Sequence, residues 1–283
     1  MNITALQNEF KKLEIHPQNF TVLQDKDGVT TLRLEYFDRS YVLKYFEKPE
    51  FRRETELYRV LRKLGVPTVP VASSTDAALL LEDLAQSPVY RLGEEQDMAD
   101  PAVARALARW YKTLHENGRA YAAAHAEELY DESDFFTREN IAALKEKTGP
   151  LPAWELLEEN FDALSQILRE TPRTLTYNDF YYTNLAVARD GFAALMFDYN
   201  LLGKGFVYTD LRNVTYSLSP AAGKAFMEEY GDFSPTEAAL DAVVSPIVTL
   251  HMAYGRENFP AWGEEALQEI QSSAYLEKIK ALL

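Results

Sequence analysis

Near the N-terminus, apolar and polar positions alternate with a period of two. Leu32, Leu34 and Tyr36 are separated by charged residues, a pattern that is typical of a half-buried strand in an antiparallel sheet. Apolar segments lie on either side of this one, and turn-forming residues separate them. We therefore predict a meander with strands at 20–23, 29–37 and 41–46 and turns at 25–28 and 38–40.

The pattern changes to a helical period after this meander. Leu57, Leu61 and Leu64 recur at intervals of four and three, which places them on one face of an amphipathic helix, and Gly65 is a favourable stop. An apolar run at 77–81 then predicts another strand, and the charged, proline-containing connector after it marks a boundary. We expect the chain to divide into residues 1–86 and residues 87–283.

Helices are predicted to dominate the second part. Asp100 and Pro101 form a typical helix start, and Gly118 is expected to end that helix. Residues 126–170 also have helical character, and they hold 12 acidic and 4 basic side chains, a net charge of 4 − 12 = −8. The predicted buried face of the first helix consists of Val103, Leu107, Trp110, Tyr111 and Leu114.

A strand-rich segment interrupts these helices. It contains Asp190-Gly191 between two apolar runs, which is a strong signal for a hairpin. With these two residues in the loop, Asn184 lies opposite Phe197. The side chains of Asn184 and Asp198 are then neighbours across the ladder.

Asp179 lies five residues before Asn184 and enters the same hairpin. Two carboxylates and one amide can therefore converge, and hard oxygen ligands of this kind suit Mg²⁺. Phosphoryl transfer uses such an ion to neutralise phosphate oxygens, together with a separate aspartate that orients the attacking hydroxyl. The alternative is a surface hairpin whose Asp and Asn residues only cap turns.

Residues 177–184, Tyr-Asn-Asp-Phe-Tyr-Tyr-Thr-Asn, resemble the H-x-D-x-x-x-x-N catalytic loop of the aminoglycoside phosphotransferase and choline kinase-like family, whose members are relatives of protein kinases. Asp198 takes the place of the family's metal-binding aspartate, and Tyr177 stands where the family has histidine. The resemblance extends over roughly residues 20–215. Its further matches are Leu114-His115 before the loop, and Gly203, Gly205 and Asp210-Leu211 after it.

This resemblance implies an α+β, two-lobed protein-kinase-like fold, with a small antiparallel sheet lobe and a larger, mainly helical lobe. It implies that ATP or GTP binds with Mg²⁺ in the cleft between the lobes. Asp179 would be the catalytic base, Asn184 and Asp198 would hold the metal, and Asp210 would support the loop. The family's histidine steadies the loop, and Tyr177 can stack and donate a hydrogen bond from the same place.

The strand at 41–46 offers an independent feature. Val42, Lys44 and Phe46 share one face of it, so the lysine needs an anion or must reach solvent. Glu54 lies on the inward stripe of the next helix, whereas Glu56 does not. A functionally silent surface salt bridge is one interpretation. Under the resemblance, Lys44 binds the α- and β-phosphates and Glu54 holds Lys44.

Other parts of the nucleotide site follow from the resemblance alone. Val42 would lie under the adenine, and the connector that contains Glu82 and Leu84 would be the hinge whose backbone binds the base. Residues 25–28 lie where a loop over the phosphates is expected, although a single glycine there fits an ordinary turn equally well.

Composition and charge narrow the classes of function. Lys and Arg number 29 and Asp and Glu number 44, so the net charge is −15, which argues against nucleic acid as a partner. The chain has no Cys, which excludes disulfides, thiolate nucleophiles and Cys-ligated metals. We find neither a run of about 18 apolar residues nor a secretion signal, and we expect a cytoplasmic protein without a membrane partner.

The predicted function is phosphorylation of a hydroxyl on a small molecule, such as an aminoglycoside, choline, ethanolamine, or a related amino-alcohol or sugar. The acidic residues between positions 127 and 134 are candidates for attracting a cationic acceptor, and a solvated helix face is the alternative. A second hypothesis is a nucleotide-binding pseudokinase with a regulatory role. The sequence leaves the acceptor, the choice of ATP or GTP and the oligomeric state open. The aromatic candidates for a cation–π box, which core packing would explain equally well, are Tyr181, Tyr182, Tyr199 and Trp262.

Overall fold

The computed structural model describes residues 3–283. They form two compact units, each assembled from separated parts of the sequence. The first unit contains the described residues up to Gly118, Tyr177–Leu202 and Asn213–Gly231. The second contains Arg119–Thr176, Gly203–Arg212 and Asp232–Leu283. The sequence-based boundary after residue 86 stays a prediction.

The α-helices, in chain order, are α1 (Ile3–Lys12), α2 (Arg53–Lys63), α3 (Pro101–Ala124), α4 (Arg138–Thr148), α5 (Pro152–Glu170), α6 (Val207–Ser217), α7 (Pro220–Tyr230), α8 (Pro235–Tyr254), α9 (Ala261–Gln271) and α10 (Ser273–Leu282). The strands are β1 (Asn19–Lys26), β2 (Val29–Tyr36), β3 (Arg39–Phe46), β4 (Val71–Ser74), β5 (Ala78–Glu82), β6 (Tyr90–Leu92), β7 (Thr174–Thr176), β8 (Leu185–Ala188), β9 (Ala194–Met196) and β10 (Gly203–Gly205).

The predicted meander is confirmed as part of a five-stranded antiparallel sheet with the order β1-β2-β3-β5-β4. Its first turn is tighter than the sequence suggested, because β1 and β2 extend until only two residues connect them. These residues, Asp27 and Gly28, have φ angles of 56° and 87°, which is the left-handed backbone that a two-residue hairpin turn requires. Residues 25–28 therefore form a hairpin tip.

The two faces of this sheet differ. On one face, Leu32, Leu34 and Leu43 pack with Leu6 of α1 in a buried cluster. Because successive side chains of a strand point to opposite faces, Val42, Lys44 and Phe46 lie on the other face. Helix α1 was not predicted, because its few apolar residues become a recognisable stripe only when the sheet that they cover is known.

The predicted end of α3 at Gly118 is wrong, since the helix continues to Ala124. The residues after Gly118 are mostly alanine, the best helix former, so they offset the roughly 1 kcal/mol that an interior glycine costs. The predicted start is correct, because the Asp100 carboxylate accepts a hydrogen bond from the Ala102 amide at 2.8 Å.

The predicted hairpin forms with the expected register, in which Leu185 pairs with Met196 and Ala186 with Leu195. The Phe197 amide donates to the Asn184 carbonyl at 2.9 Å, so the predicted opposition of these residues is correct. The loop is longer than predicted. The Ala188 amide donates to the Ala193 carbonyl at 2.8 Å, which leaves four residues between them. Strand β6 adds to β8 and completes a small three-stranded sheet.

The second unit is mainly helical. Its core gathers apolar residues of α4, α5, α8, α9 and α10, and the fully buried Trp154 and Tyr275 are its largest side chains. Strands β7 and β10 pair antiparallel beside these helices. Of the helices within residues 3–283, none combines the length and apolar character that a membrane crossing requires.

Candidate active site

Three charged side chains meet in the first unit. Lys44 of β3 donates hydrogen bonds from Nζ to Glu54 Oε2 at 2.6 Å and to Asp198 Oδ1 at 2.8 Å. The Lys44 side chain is 12% exposed and that of Glu54 is 1% exposed, whereas that of Asp198 is 31% exposed. The ammonium group therefore lies between a buried and a partly open carboxylate.

Glu54 makes a second contact on the same side. Its Oε1 accepts a hydrogen bond from the backbone amide of Tyr199 at 3.3 Å, the residue directly after Asp198. One carboxylate of α2 thus holds both the lysine and the backbone beside Asp198. The sequence-based preference for Glu54 over Glu56 agrees with this geometry, because Glu56 pairs at the surface with Arg59 at 3.0 Å.

The two carboxylates stabilise the charge of Lys44 but repel each other. Burial lowers the pKa of Lys44, but the Glu54 and Asp198 carboxylates outweigh it, so the net shift is upward and the lysine stays protonated. Burial raises the pKa of Glu54 overall, since Lys44 opposes this effect only in part and the Asp198 charge adds to it. Two carboxylates face one ammonium group, so the cluster has room for further positive charge.

The segment that carries Asp179 joins β7 to β8 in an irregular path. Two of its neighbouring polar residues, Asn178 and Asp198, have φ angles of 65° and 63°, a backbone region that Asn and Asp tolerate better than other non-glycine residues. Asn178 Nδ2 also donates to the Leu201 carbonyl at 3.0 Å. The loop before β8 and the segment after β9 are therefore held together.

Asp179 and Asn184 are neighbours. Asn184 Nδ2 lies 3.3 Å from Asp179 Oδ2 and 3.3 Å from the Asp179 carbonyl oxygen. Asp179 is half-buried. Burial is the main cause that raises its pKa, and the Asp198 charge adds to it, while Asn184 and Lys44 act in the opposite direction. Both carboxylates are thus close enough to influence each other, as the sequence predicted.

Tyr177 joins the two segments through its side chain. It is fully buried, and its hydroxyl donates to the carbonyl of Phe197 at 2.5 Å, the residue before Asp198. Its ring contacts Trp110, Tyr111 and Tyr199 edge to face, with centroids 5.9 to 6.4 Å apart. The hydrogen bond that the sequence analysis expected of this tyrosine is present, whereas its ring contacts are edge to face rather than stacked.

The donor set fits a hard divalent cation. Asp198 and Asn184 offer one carboxylate and one amide oxygen, and Mg²⁺ takes one or two protein carboxylates while water and substrate phosphate complete its shell. Across residues 3–283, His, Cys, Asp and Glu form no group of three that is placed to hold a metal.

Of the residues expected at the site of the nucleotide base, Val42 lies in β3, Glu82 ends β5 and Leu84 follows β5. Val42 pairs with Leu81 in the sheet register, and the Glu82 amide donates to the Pro70 carbonyl at 2.9 Å. Leu84 is buried. Val42 therefore lies two residues from Lys44 in the same strand, the Glu82 amide is used within the sheet, and Leu84 follows in the connector.

Sequence reasoning missed the residue that anchors this connector. The buried carboxylate of Asp83 accepts hydrogen bonds from Arg33 Nε at 2.6 Å and from the Ser40 hydroxyl at 2.6 Å. Burial alone would raise the pKa of Asp83, but these donors lower it overall. Its partners lie 50 and 43 positions away in the chain, so no local signal identifies them.

The residues considered for binding the acceptor differ in how far they are exposed to solvent. Tyr199 is fully buried, whereas Tyr181 is 64% and Tyr182 is 37% exposed, so Tyr199 cannot belong to a ligand box with them.

In the second unit, Asp131 is buried and binds Arg173 at 3.2 Å. Asp131 is therefore neither a solvated residue nor a free attractant for cations.

Comparison with known proteins gives the family. A family model described as the phosphotransferase enzyme family matches residues 21–243. A search of the curated proteins gives no match.

Solved structures of similar fold cover almost the whole chain. Macrolide 2'-phosphotransferase MphH from Brachybacterium faecium is 19% identical, with a TM-score of 0.63 over 94% of this chain and 97% of that chain. Choline kinase LicA from Streptococcus pneumoniae is 12% identical, with a TM-score of 0.62 over 99% of each chain. Spectinomycin phosphotransferase in complex with ADP and spectinomycin is 12% identical, with a TM-score of 0.60 over 99% of this chain and 93% of that chain.

These neighbours confirm the predicted α+β, protein-kinase-like fold class, with its small antiparallel sheet and larger helical part. The family match spans residues 21–243, and this range contains Lys44, Glu54, Asp179, Asn184 and Asp198. The chain belongs to the phosphotransferase enzyme family.

Proposed function

We propose that this protein transfers the terminal phosphoryl group of ATP or GTP to a hydroxyl group of a small molecule, in a reaction that depends on Mg²⁺. The observation that carries the proposal is the placement of Lys44 between Glu54 and Asp198. Family membership supports the reaction class. The complex of a structural neighbour with ADP supports the use of a nucleotide.

In this proposal Lys44 binds the α- and β-phosphates. Its ammonium is a compact point charge on a flexible stem, and Glu54 fixes that stem from a buried position. Asn184 and Asp198 would hold Mg²⁺, which when bound neutralises the charge on the phosphate oxygens. Val42, Glu82 and Leu84 would form the site of the nucleotide base.

Asp179 would act on the acceptor. As the acceptor oxygen bonds to phosphorus, the bond from that phosphorus to the bridging oxygen of the nucleotide breaks, and the hydroxyl proton passes to the Asp179 carboxylate. Asn184 orients that carboxylate through its contact with Oδ2. Macrolides, choline and spectinomycin appear in the names of structural neighbours, so macrolide, amino-alcohol and aminocyclitol acceptors belong in a first screen with aminoglycosides and sugars.

The decisive experiment measures phosphoryl transfer from ATP and from GTP to these acceptors with Mg²⁺ present. We expect Asp179→Asn to lower kcat by about 10²- to 10⁴-fold, the usual contribution of a general base, and to leave nucleotide binding intact. The matched control is Asp190→Asn, an aspartate in the exposed loop of the hairpin, which should keep full activity.

Two outcomes would contradict the proposal. Transfer that survives in the Asp179→Asn protein would remove this residue from the reaction. Nucleotide binding without turnover on any acceptor would support the pseudokinase alternative instead.

A further inference from the structure

Strand β1 lies at one edge of the five-stranded sheet in the first unit. Within residues 3–283 its only strand partner is β2, and each of its eight residues is exposed. The outward amide and carbonyl groups of an edge strand are a template for pairing with another strand. This edge of the sheet is therefore open.

The two edges of this sheet are protected to different degrees. Strand β4, at the other edge, has only four residues, and its register shifts between Val71 and Ser73. Short length and an irregular register both discourage pairing between edges. Strand β1 is twice as long, and its register shift lies after Val22, so residues 19–22 form a regular ladder. Residues 19–23 also include no charged residue and no proline, the other usual means of blocking an edge strand.

The apolar face of the sheet continues to this open edge. Phe20 pairs with Leu34 and Val22 pairs with Leu32, and both leucines belong to the buried cluster that α1 shares. Directly opposite residues point to the same face, so Phe20 and Val22 lie on this face as well. The Phe20 ring contacts Phe10 of α1 at 6.4 Å between centroids. Even so, Phe20 is 43% exposed and Val22 is 45% exposed, so α1 leaves the rim of the apolar face uncovered.

The sequence of this edge is complementary to itself. A two-fold axis perpendicular to the sheet places one residue of β1 opposite its own copy in a second chain. With Thr21 in this position, Phe20 of each chain lies opposite Val22 of the other. Pairs of an aromatic with a β-branched residue, and pairs of two threonines, are favourable across antiparallel strands.

The registers on either side of this one lack the match. An axis one residue later, at Val22, places Phe20 opposite Gln24. An axis one residue earlier, at Phe20, places Val22 opposite Gln18. Of the three registers, the one centred on Thr21 gives both apolar side chains an apolar partner.

We propose that β1 pairs antiparallel with β1 of a second copy of this chain, about a two-fold axis at Thr21, so that two five-stranded sheets join into one sheet of ten strands. The interface is the same surface on both chains, so the pairing closes on itself and the assembly stops at a dimer. Strand β1 is two strands away from β3, which carries Lys44. The dimer therefore goes beyond the proposed function and does not depend on it.

The first test measures the molar mass of the full chain by sedimentation equilibrium, over about a hundredfold range of protein concentration. We expect a dimer that dissociates on dilution. Val22→Lys places a charge on each side of the pairing, and we expect it to weaken association about 100-fold. The matched control is Phe192→Lys, which alters a 78% exposed aromatic residue in the hairpin loop after β8, and it should dimerise as the wild-type protein does.

The second test needs no disruptive variant. Because the chain has no cysteine, Thr21→Cys introduces its only thiol. Opposite residues have Cβ atoms about 5 Å apart, so small adjustments of the strands allow a disulfide, and we expect most of the protein to form a covalent dimer under mild oxidation.

The matched control for this test is Leu23→Cys, at a 46% exposed position of the same strand. In the proposed register its two copies are four strand residues apart, a distance of about 13 Å. We expect covalent dimer to form there at least about tenfold less efficiently, because this separation exceeds the reach of a disulfide.

Four outcomes would overturn the proposal. They are a wild-type protein that stays monomeric at every concentration, an open series of larger assemblies, a Val22→Lys protein that dimerises like the wild type, and equal cross-linking of Thr21→Cys and Leu23→Cys. Neither test uses a nucleotide or an acceptor, so a failure of the proposed function would leave both results unchanged.

Discussion

Each unit of the protein holds an ion pair with one fully buried carboxylate, Glu54 in the first and Asp241 in the second, and the two pairs are built differently. In the first unit, Lys44 lies between Glu54 and Asp198, with Asp198 partly open to solvent. In the second, Arg212 binds Asp241 through two nitrogens at 2.6 and 3.4 Å. The Thr209 hydroxyl donates a further hydrogen bond to the Asp241 carboxylate at 2.9 Å.

The difference separates a candidate functional site from a structural ion pair. The guanidinium of Arg212 matches a carboxylate geometrically, and the extra donor leaves little capacity unused. Lys44 instead places one compact positive charge between two carboxylates. The group keeps an excess of negative charge, and Asp198 is partly exposed to solvent. A buried ion pair is weak evidence of function by itself, and the unused capacity at Asp198 is what distinguishes the first pair.

Exchanging the two cation types should show the largest effect in the first unit. Lys44→Arg keeps the charge and changes its shape, so the side chain cannot occupy the same narrow position. We expect transfer activity to fall about 10²-fold, as for loss of one preorganised electrostatic contact, while the thermal midpoint changes by only a few degrees. Transfer within twofold of wild type would show that Lys44 is only a structural residue.

The reciprocal exchange should affect stability. Arg212→Lys removes the two-pronged contact with Asp241, and we expect the free energy of unfolding to fall by about 1 to 2 kcal/mol. Urea unfolding measures this loss, and kcat of the folded enzyme should stay within about threefold of wild type. A large loss of kcat at unchanged stability would erase the contrast between the pairs.

A smaller effect on stability is expected from loss of the hydrogen bond between the Tyr177 hydroxyl and the Phe197 carbonyl. Tyr177→Phe leaves the Phe197 carbonyl without its donor, so the free energy of unfolding should fall by about 1 kcal/mol. Urea unfolding is again the measurement, and Tyr36→Phe, a half-buried strand residue, is the control. Equal results for the two variants would mean that the Tyr177 hydroxyl contributes nothing.

The smallest expected effect is on the free energy of unfolding of the metal-free protein, and it arises from the charges of Asp179 and Asp198. Burial and the Asp198 charge raise the pKa of Asp179 above its ordinary value of 3.8. The folded state therefore holds a proton there more tightly, and the stabilisation present below pH 3.8 is lost as the pH rises through the folded pKa. We expect Asp179→Asn to raise the free energy of unfolding at pH 7 by less than about 1 kcal/mol.

This gain should shrink as the pH falls toward 3.8, because the wild-type carboxyl then becomes neutral as well. Urea unfolding of both proteins across this range tests the sign. A loss of stability at pH 7 would show that the Asp179 charge is stabilised in the fold.

The sequence predicted those parts of the fold whose signals are local. The alternation around Leu32 and Leu34 predicted β2, and the Asp190-Gly191 pair predicted the register of β8 and β9. Strands β4 and β6 went unrecognised, because three or four residues give too short a pattern and their pairing depends on distant partners. The prediction that α3 ends at Gly118 failed for a different reason. Residues that favour a helix lie on both sides of this glycine, and they outweigh its cost.

The same distinction applies to the candidate site. The position of Glu54 on the inward face of α2 follows from helical spacing, so its contact with Lys44 was predictable. The anchoring of Asp83 by Arg33 and Ser40 was not, because it depends on how three strands align across the sheet.

The double contact of Glu54 has a mechanical consequence. Its two oxygen atoms hold the Lys44 ammonium and the Tyr199 amide at the same time. A displacement of α2 that carried Glu54 away would therefore weaken its grip on the lysine and on the backbone beside Asp198 together.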